Sequence, residues 1–348
     1  MFFTKRLGID LGTSRLRIAV PGRGGRIVID EPTVVTLSAA ENAVLAAGTD
    51  AANMIGRAPE SVSVINPMRE GVIDDYRIVE ALLRYYMSLV TGRFNLVRPE
   101  VMIATPAGVT NVEQRAVRDA AEQAGARRPA HLIANPLAAA IGAGVPMGDA
   151  RGALIGNLGA GRSEAAVLSM YGVVVWESAR TGGQIVTEVI AEHVKRRHNL
   201  LIGEPTAEEL KFASASAVPV EDPVRAEVRG RDQSSGMPRS VTITANELVP
   251  SIQQVLETFV EVTRSTLERT PPELTSDIID RGMLLTGAAA RLNGIDTYLA
   301  EQVGIPVTIA DNAEDAVALG AAEALDNLDI VGPNLLAQES ALSATEQR

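Results

Sequence analysis

Short apolar runs alternate along the chain with longer stretches in which apolar residues recur every three or four positions, which predicts strands alternating with amphipathic helices. The run EVMIATP at 100–106 is apolar and closed by a proline, as expected of a buried strand. The stretch at 76–92 predicts a helix with one buried stripe, formed by Ile78, Val79, Leu82, Leu83, Tyr86, Leu89 and Val90. This alternation predicts an α/β fold with functional groups at the ends of its strands.

Local signals place the ends of a second long helix and two irregular segments. Thr244 and Glu247 have the spacing of a capping box ahead of a long amphipathic stretch, and the helix is expected to end before Pro271. Residues 212–224, rich in Ser, Ala and Pro, predict an irregular surface connection. Residues 332–348 predict a frayed tail.

Two glycine-containing segments resemble each other. GIDLGTSRLRIAV at 8–20 and IGNLGAGRSEAAVL at 155–168 both run from an apolar residue through Asp or Asn, Leu and Gly to a polar turn and an apolar strand. The Asp-Leu-Gly triplet at 10–12 therefore aligns with the Asn-Leu-Gly triplet at 157–159. The repeat predicts two related domains, each opening with a β-hairpin whose tight turn contains glycine.

Composition narrows the class of protein. A chain of 348 residues is long for a single core, so two domains are expected. The net charge of −11 argues against nucleic acid as a partner, because phosphate backbones are bound by clustered Lys and Arg. The sequence contains no cysteine, which excludes disulfides and thiolate chemistry and fits a reducing cytoplasm. Its apolar runs fall short of the roughly 18 residues that span a bilayer, and the first ten residues do not form a secretory signal, so membrane contact is expected to be peripheral at most.

Five longer runs carry a resemblance to a known family. They are GRAPESVSVINPMREGVIDDY, ATPAGVTNVEQRAVRDAAEQAGAR, AAAIGAGVP, RRHNLLIGEPTAEELK and TPPELTSDIIDRGMLLTG. In these runs and in the two hairpins, the chain from Leu7 to about Leu325 resembles the MreB family of bacterial actins. The resemblance implies an α/β, actin-like ATPase fold, in which two RNase-H-like domains flank a nucleotide cleft and each carries a small inserted subdomain.

The resemblance also implies domain bounds and a biological setting. The expected first domain is 1–30 plus 66–139 with a C-terminal helix near 314–326, the second is 140–183 plus 236–313, the small subdomains are 31–65 and 184–235, and the tail is 327–348. The family implies head-to-tail filaments, cytoplasmic and peripheral at the inner face of the cell membrane, that act in cell shape and cell-wall synthesis. The implied partners are other copies of the chain, the membrane surface, a second MreB paralogue and membrane-anchored wall-synthesis proteins, with no nucleic acid.

ATP and Mg²⁺ are the cofactors that the family implies, with Asp10 holding the metal through water. A phosphate cradle needs backbone N–H groups on Gly-rich turns, and a hydrated Mg²⁺ needs a carboxylate. Carried over by position, the expected nucleotide-binding residues are Asp10, Gly12, Thr13, Ser14, Gly159, Ala160, Gly161, Gly182, Gly183, Thr206, Ala207, Glu208, Glu209, Lys211, Gly287, Ala288 and Ala289.

Several positions depart from the family pattern. Asn135 replaces the Glu that orients the attacking water, and Asn157 replaces the Asp of the second hairpin. An amide binds water but does not take its proton near neutral pH, and losing a positioned base typically lowers a rate by about 100- to 10,000-fold. Further departures are Ala160, Ala288 and Ala289 in place of glycines, Arg162 in place of a hydroxyl residue, and Gln184 in place of an acid.

These departures predict weak or lost hydrolysis and leave nucleotide binding open. Arg162 is expected either to block the pocket or to pair with a phosphate oxygen. Two alternatives stay open beside this prediction. In the first, the chain is an active ATPase in which another carboxylate, Glu164 or Asp311, activates the attacking water. In the second, it is a nucleotide-independent co-assembly partner of another MreB.

Aromatic residues mark two expected membrane contacts. The chain has five Phe, and Phe2 and Phe3 precede Lys5 and Arg6, whereas Phe94, Leu96 and Val97 lie between Arg93 and Arg98. Apolar residues flanked by cations suit insertion into an anionic leaflet. The alternatives are a buried first strand at the N-terminus and, at the second segment, a strand that enters the core.

Overall fold

A computed structural model describes residues 5–22, 25–40, 43–92, 97–332 and 335. In chain order, its first elements are β1 (Arg6–Leu11), β2 (Arg15–Val20), β3 (Arg26–Pro32), β4 (Val35–Ser38), β5 (Val44–Ala47), α1 (Thr49–Ala52), β6 (Val62–Ile65), β7 (Met68–Arg69), β8 (Val72–Ile73), α2 (Tyr76–Thr91), β9 (Glu100–Thr105), α3 (Asn111–Gln123), β10 (His131–Ala134) and α4 (Asn135–Gly142).

The remaining elements follow after a short loop. They are β11 (Ala153–Leu158), β12 (Ser163–Ser169), β13 (Gly172–Ala179), α5 (Gly183–His198), β14 (Leu200–Leu201), α6 (Glu204–Ser214), β15 (Arg225–Asp232), β16 (Pro238–Thr244), α7 (Ala245–Glu268), α8 (Pro272–Arg281), β17 (Met283–Thr286), a 3₁₀ turn (Ala288–Arg291), α9 (Ile295–Val303), β18 (Val307–Ile309) and α10 (Ala316–Asp326).

Two five-stranded sheets have the same internal order. The first runs β3-β2-β1-β9-β10 and the second β13-β12-β11-β17-β18. In each, the first hairpin strand pairs antiparallel with its hairpin partner and parallel with the strand on its other side. The repeat expected from the two hairpin sequences is thus confirmed, and the sheets form the centres of two α/β domains.

Apolar helix faces cover both sheets. The stripe of α2, including Val79 and Leu83, packs with α3 on the first sheet. Helix α7, which begins at the Thr244–Glu247 capping box, packs Phe259 and its neighbours against the second sheet. Burial of each large apolar side chain contributes about 1.5–3 kcal/mol, so these faces are the main source of stability for both domains.

Two smaller sheets extend from the large ones. The first has the order β5-β4-β6 and the second the order β14-β15-β16. Because β16 pairs with β15 along its whole length, we propose that the second small subdomain extends to Thr244, beyond the residue 235 expected from the sequence. The other domain bounds stay predictions.

Helices α4 and α10 cross in close contact between the two large sheets. A Cβ atom on Gly320 would lie 1.7 Å from the carbonyl oxygen of Ala138, and one on Gly142 would lie 1.9 Å from that of Ala316. Side chains at these two positions are therefore excluded by backbone atoms of the neighbouring helix. The crossing therefore lies where the two domains meet.

The structure corrects two expectations. Leu89 is 57% exposed although it continues the apolar stripe, because the groove between the last turn of α2 and the ends of β1, β2 and β3 is open to solvent. In the segment 212–224, α6 continues to Ser214, and the chain around Ser216 is buried through a bridge to Asn293 rather than lying on the surface. Val331, just ahead of the segment 332–348 predicted as a frayed tail, is fully buried against the core around α4 and α10.

Among the helices of the described residues, none combines the length and the apolar character needed to cross a bilayer. This finding agrees with the hydropathy of the sequence.

Candidate nucleotide-binding cleft

The two hairpin turns face each other across a cleft with a volume of about 670 Å³. Each turn closes with the same backbone hydrogen bond: the Gly12 N–H donates to the Arg15 carbonyl at 3.0 Å, and the Gly159 N–H donates to the Arg162 carbonyl at 2.9 Å. The aligned triplets therefore form equivalent turns, one from each domain.

The two turns approach each other closely. A Cβ on Gly161 would lie 2.4 Å from the Thr13 hydroxyl oxygen, so glycine is needed here for contact between the hairpins. Thr13 is itself held in place, since its hydroxyl accepts from the Gly71 N–H at 2.8 Å and its carbonyl accepts from the Asn66 side chain at 2.8 Å. The first turn is therefore tied to the segment 66–71 by two hydrogen bonds.

Arg162 connects the domains. Its Nε donates to the Glu70 carbonyl at 3.0 Å, and a second guanidinium nitrogen lies 3.4 Å from the Ser178 hydroxyl. The side chain is buried, and desolvation lowers the pKa of its guanidinium below the ordinary value. Arg162 lies at the cleft wall, and the hydrogen bonds of its guanidinium are made to protein groups.

Glu164 is the centre of a buried polar cluster at the floor of the cleft. Its Oε1 accepts from the Ala107 N–H at 2.7 Å, and its Oε2 accepts from the side-chain amides of Asn135 at 2.9 Å and Asn157 at 3.4 Å. Asn157 in turn accepts from the Thr286 hydroxyl at 3.3 Å. Burial raises the pKa of Glu164 above its ordinary value, although these donors act in the opposite direction.

This cluster gives the two Asn residues a shared role. Glu164 is 1% exposed, and both of its oxygens are already bound by protein donors. Carboxylates at 135 and 157, as in the family pattern, would not donate to Glu164 and would need a cation or water between the acids in this buried site. The amides instead donate to Glu164 directly.

A second charged cluster lies on the Asp10 side. Asp10 pairs across the hairpin with Arg17, a buried residue whose guanidinium lies within 3.2 Å of the carboxylates of Asp30, Glu314 and Asp315. Burial raises the pKa of Asp10 to about 6, even though Arg17 lowers it. Arg17 is thus a single cation among four carboxylates, and the cluster as a whole is negatively charged.

The opposite end of the cleft is built from α5 and α6. The ammonium of Lys211 donates to the Gly183 carbonyl at 3.0 Å, the Thr187 hydroxyl at 2.9 Å and Glu208 at 3.0 Å. It also lies 4.5 Å from the centre of the Phe212 ring. Burial lowers the pKa of Lys211, and Glu208 opposes that shift. Lys211 therefore fixes α6 against the start of α5.

The structure brings most of the expected residues to one cleft. Those that line it are Asp10, Gly12, Thr13, Ser14, Asn135, Asn157, Gly159, Ala160, Gly161, Gly183, Gln184, Glu208, Lys211, Gly287, Ala288 and Ala289. Gly182 lines an adjoining apolar pocket. Ala207 is fully buried in the second core, Glu209 is exposed, and neither they nor Thr206 belong to the lining.

Several lining residues were missed by the sequence argument. Arg15, Arg17, Phe212, Arg291 and Glu314 also face the cleft. For Arg15 and Arg17 a sequence signal was available, because they lie two apart in the strand after the first turn and such residues share a face of the sheet. Of the two carboxylates considered for the water step, Glu164 lines the cleft, whereas Asp311 is exposed and outside the lining.

The expected membrane segments lie largely outside the described residues, which include Val97 but not Phe2, Phe3, Phe94 or Leu96. Val97 is half-buried. The residues that flank these segments are adjacent, since the Lys5 ammonium donates to the Val90 carbonyl at 2.7 Å.

The matched pair of sheets, the hairpins and the cleft between them define the class as a two-domain actin-like protein. Solved structures agree: MreB5 of Spiroplasma citri bound to AMPPNP superimposes with a TM-score of 0.89 at 27% identity, covering 96% of this chain and 99% of that one. A MamK double helical filament matches with a TM-score of 0.78 at 18% identity, over 93% and 99% of the two chains, and supports the fold alone.

Sequence relatives give the family. The family model for the MreB/Mbl protein matches residues 4–332. The cell shape-determining protein MreB of Escherichia coli (strain K12) is 41% identical, covering 97% of this chain and 98% of its own. The cell shape-determining protein Mbl of Bacillus subtilis (strain 168) is 39% identical over 94% and 97%. The chain belongs to the MreB/Mbl family, as its sequence resemblance indicated.

Proposed function

We propose that this protein is an actin-like cytoskeletal subunit that acts in cell shape and cell-wall synthesis, binds ATP in its cleft and hydrolyses it weakly or not at all. The observation that carries the nucleotide part is the Glu164 cluster, in which Asn135 and Asn157 donate to a carboxylate whose two oxygens both already accept hydrogen bonds from the protein. The cytoskeletal part rests on the family and on the cell shape-determining names of its relatives.

Retention of the phosphate cradle supports binding. The equivalent turns at 12–15 and 159–162 both line the cleft, and their glycines leave backbone groups close to the space between them. Backbone N–H groups in such turns bind anions without any charged side chain. The related MreB5 of Spiroplasma citri was solved with AMPPNP and with ADP.

Loss of hydrolysis follows from what the polar groups at the floor can do. The Asn135 amide donates to Glu164 at 2.9 Å, and an amide does not take a proton from water near neutral pH. Glu164 is a poor substitute base, despite its elevated pKa, because it is buried and already accepts from three donors. A positioned base typically contributes about 100- to 10,000-fold to a rate.

The residues fit Mg²⁺ only in part. Asp10 lines the cleft and would hold a hydrated cation, but Asn157 contributes no charge. When bound with the nucleotide, Mg²⁺ neutralises phosphate charge. Arg17 is already paired with Asp30, Glu314 and Asp315, so it leaves that neutralisation to Mg²⁺ and to the backbone N–H groups, and we expect Mg²⁺ to strengthen nucleotide binding.

Calorimetric titration with AMPPNP and Mg²⁺ tests binding. We expect saturable one-to-one binding that persists, weakened, in EDTA. Absence of binding at any ligand concentration reached would contradict the proposal and favour a nucleotide-independent co-assembly partner. Such a partner would form filaments only when a second MreB is added.

Phosphate release by a reverting variant tests the hydrolysis argument. Asn135→Glu combined with Asn157→Asp restores the carboxylates of the family pattern, and we expect release to rise by at least about 100-fold. Asn135→Gln, which keeps an amide, is the matched control and should stay at the wild-type rate. Substantial release by the wild-type protein would instead support an active ATPase that uses Glu164, and the rate should then disappear in Glu164→Gln.

We further propose self-assembly into filaments at a membrane surface. In support of this, the cations Lys5 and Arg6, which follow the first apolar segment, line one open groove with Leu89 and Val90, which precede the second. Cations that flank apolar residues are attracted to anionic lipid. Because each subunit contributes few apolar residues, stable attachment would depend on many subunits in one filament.

A further inference from the structure

Two of the three histidines of the chain meet one carboxylate away from the cleft. His193 and His198 lie on the last turns of α5, and Glu247 lies in the first turn of α7. His198 Nε2 is 2.9 Å from Glu247 Oε2, and His193 Nε2 is 3.7 Å from the same oxygen. One ligand atom from each residue lies within 4.8 Å of the others.

Neighbouring groups hold these side chains in position. Glu247 Oε1 is used by the capping box, where it accepts from the Thr244 N–H at 2.5 Å, so Oε2 is the oxygen that faces the imidazoles. The Ser251 hydroxyl lies 3.4 Å from His193 Nδ1, on the far side of that ring. Outer hydrogen bonds of this kind orient histidines that ligate metals.

His193 Nε2 is the unexplained atom of the cluster. It is buried, and within the described ranges it has no hydrogen-bond partner, since 3.7 Å to Glu247 is too long for one. A buried polar atom without a partner is uncommon and is costly unless an ion or water binds it. The atom points towards the other two candidate ligands.

We propose that His193, His198 and Glu247 form a Zn²⁺ site that ties the end of α5 to the start of α7. Two imidazole nitrogens and one carboxylate oxygen are a common ligand set for this ion. Zinc bonds of about 2.0–2.2 Å in a tetrahedron put ligand atoms about 3.3–3.5 Å apart. The distances from Glu247 Oε2 to the two imidazoles, 2.9 and 3.7 Å, lie on either side of that range, and all three ligand atoms lie within 4.8 Å of one another. Water would complete the tetrahedron.

The surrounding charge is compatible with a cation. The cluster lies at the C-terminal end of α5, where the helix dipole favours positive charge. Lys195 and Arg196 point to Glu192, at 3.0 and 2.7 Å, rather than to Glu247. Arg239 donates to the His198 carbonyl and pairs with Asp232.

Such a site would connect the second small subdomain to the large domain. Helix α5 begins at Gly183 in the cleft and ends at His198 in the cluster, so its 16 residues span about 24 Å at the helical rise. Helix α7 is the main helix packed on the second large sheet. Bound Zn²⁺ would therefore fix the far end of a helix whose near end forms the cleft wall.

Titration of tag-free protein with Zn²⁺ by calorimetry tests the site. We expect one ion per chain and a higher melting temperature in Zn²⁺ than in EDTA. Loss of an outer-shell partner alone lowers metal affinity by about 10- to 100-fold, so His193→Gln or His198→Gln should weaken binding by at least about 100-fold. Co²⁺ should bind with the intense visible absorption of a four-coordinate site and lose it in the same variants.

Two variants serve as controls. His131→Gln removes the third histidine, which lies beside Glu100 rather than in the cluster, and should bind Zn²⁺ like the wild-type protein. Glu247→Gln keeps an oxygen for the capping box, so it should fold normally in EDTA while losing affinity. The proposal is overturned if the wild-type protein shows no saturable one-to-one binding, or if the two histidine variants bind Zn²⁺ as it does.

Discussion

The carboxylate of Asp10 lies at the end of β1, faces the cleft, and has a pKa raised by burial from 3.8 to about 6. The folded state therefore holds this proton more tightly than the unfolded chain does. Stability falls as the pH rises through the window from about 4 to about 6, and the full penalty is present above it. A shift of about 2 pKa units corresponds to about 3 kcal/mol, and carboxylates destabilised to this extent are typical of functional sites.

Asp10→Asn is accordingly expected to stabilise the ligand-free protein. At pH 7.5 we expect the free energy of unfolding in urea to rise by up to about 3 kcal/mol, and the difference from wild type should vanish below about pH 4. Asp311→Asn, an exposed site outside the cleft, is the matched control and should change little. An Asp10→Asn protein that is less stable than wild type at pH 7.5 would show that the charged form is favoured by the fold.

Residue-level chemistry was predictable only where the signal was local. The replacements at 135 and 157 could be noticed from the sequence, but their common partner Glu164 emerged only from the fold, because Asn135 and Glu164 come from different domains. Arg17 and Glu314 lie 297 positions apart and still pair. Long-range charge clusters of this kind leave no periodic or spacing signal in a single sequence.

At the scale of elements, the ends of helices were predictable where they depend on residues a few positions apart. The capping box at Thr244 formed as expected, because both partners lie within one helical turn. The exposure of Leu89 and the burial around Ser216 were not predictable, since each depends on whether a distant element covers the position. The repeat of two hairpins correctly predicted two related sheets.

The contact between α4 and α10 gives the sharpest prediction about elements. Gly320→Ala places a methyl group 1.7 Å from the Ala138 carbonyl oxygen, and the helices must separate to accept it. We expect unfolding free energy to fall by about 3 kcal/mol, near the upper end of typical overpacking costs. Urea denaturation measures this change. Gly148→Ala, where a Cβ would meet nothing within 4 Å, should be nearly neutral, and equal effects of both variants would contradict the close crossing.

At the scale of the whole molecule, membrane attachment is predicted to depend on the two apolar segments together. Phe94→Ser with Leu96→Ser should markedly reduce co-sedimentation of assembled protein with vesicles that contain anionic lipid, because it removes apolar area from every subunit. Val112→Ser changes a residue that is 78% exposed elsewhere and should bind like wild type. Undiminished binding by the double variant would rule out this segment as the lipid contact.

From the two domains, the cleft and the amides at 135 and 157, we propose a subunit that binds a nucleotide without hydrolysing it. The most direct test is the fate of radiolabelled ATP mixed with excess protein, followed as bound ATP, ADP and free phosphate over several hours. The account predicts that ATP is retained on the protein and stays intact. Conversion of the bound ATP to ADP and phosphate within those hours would contradict it, as would the absence of any retained nucleotide.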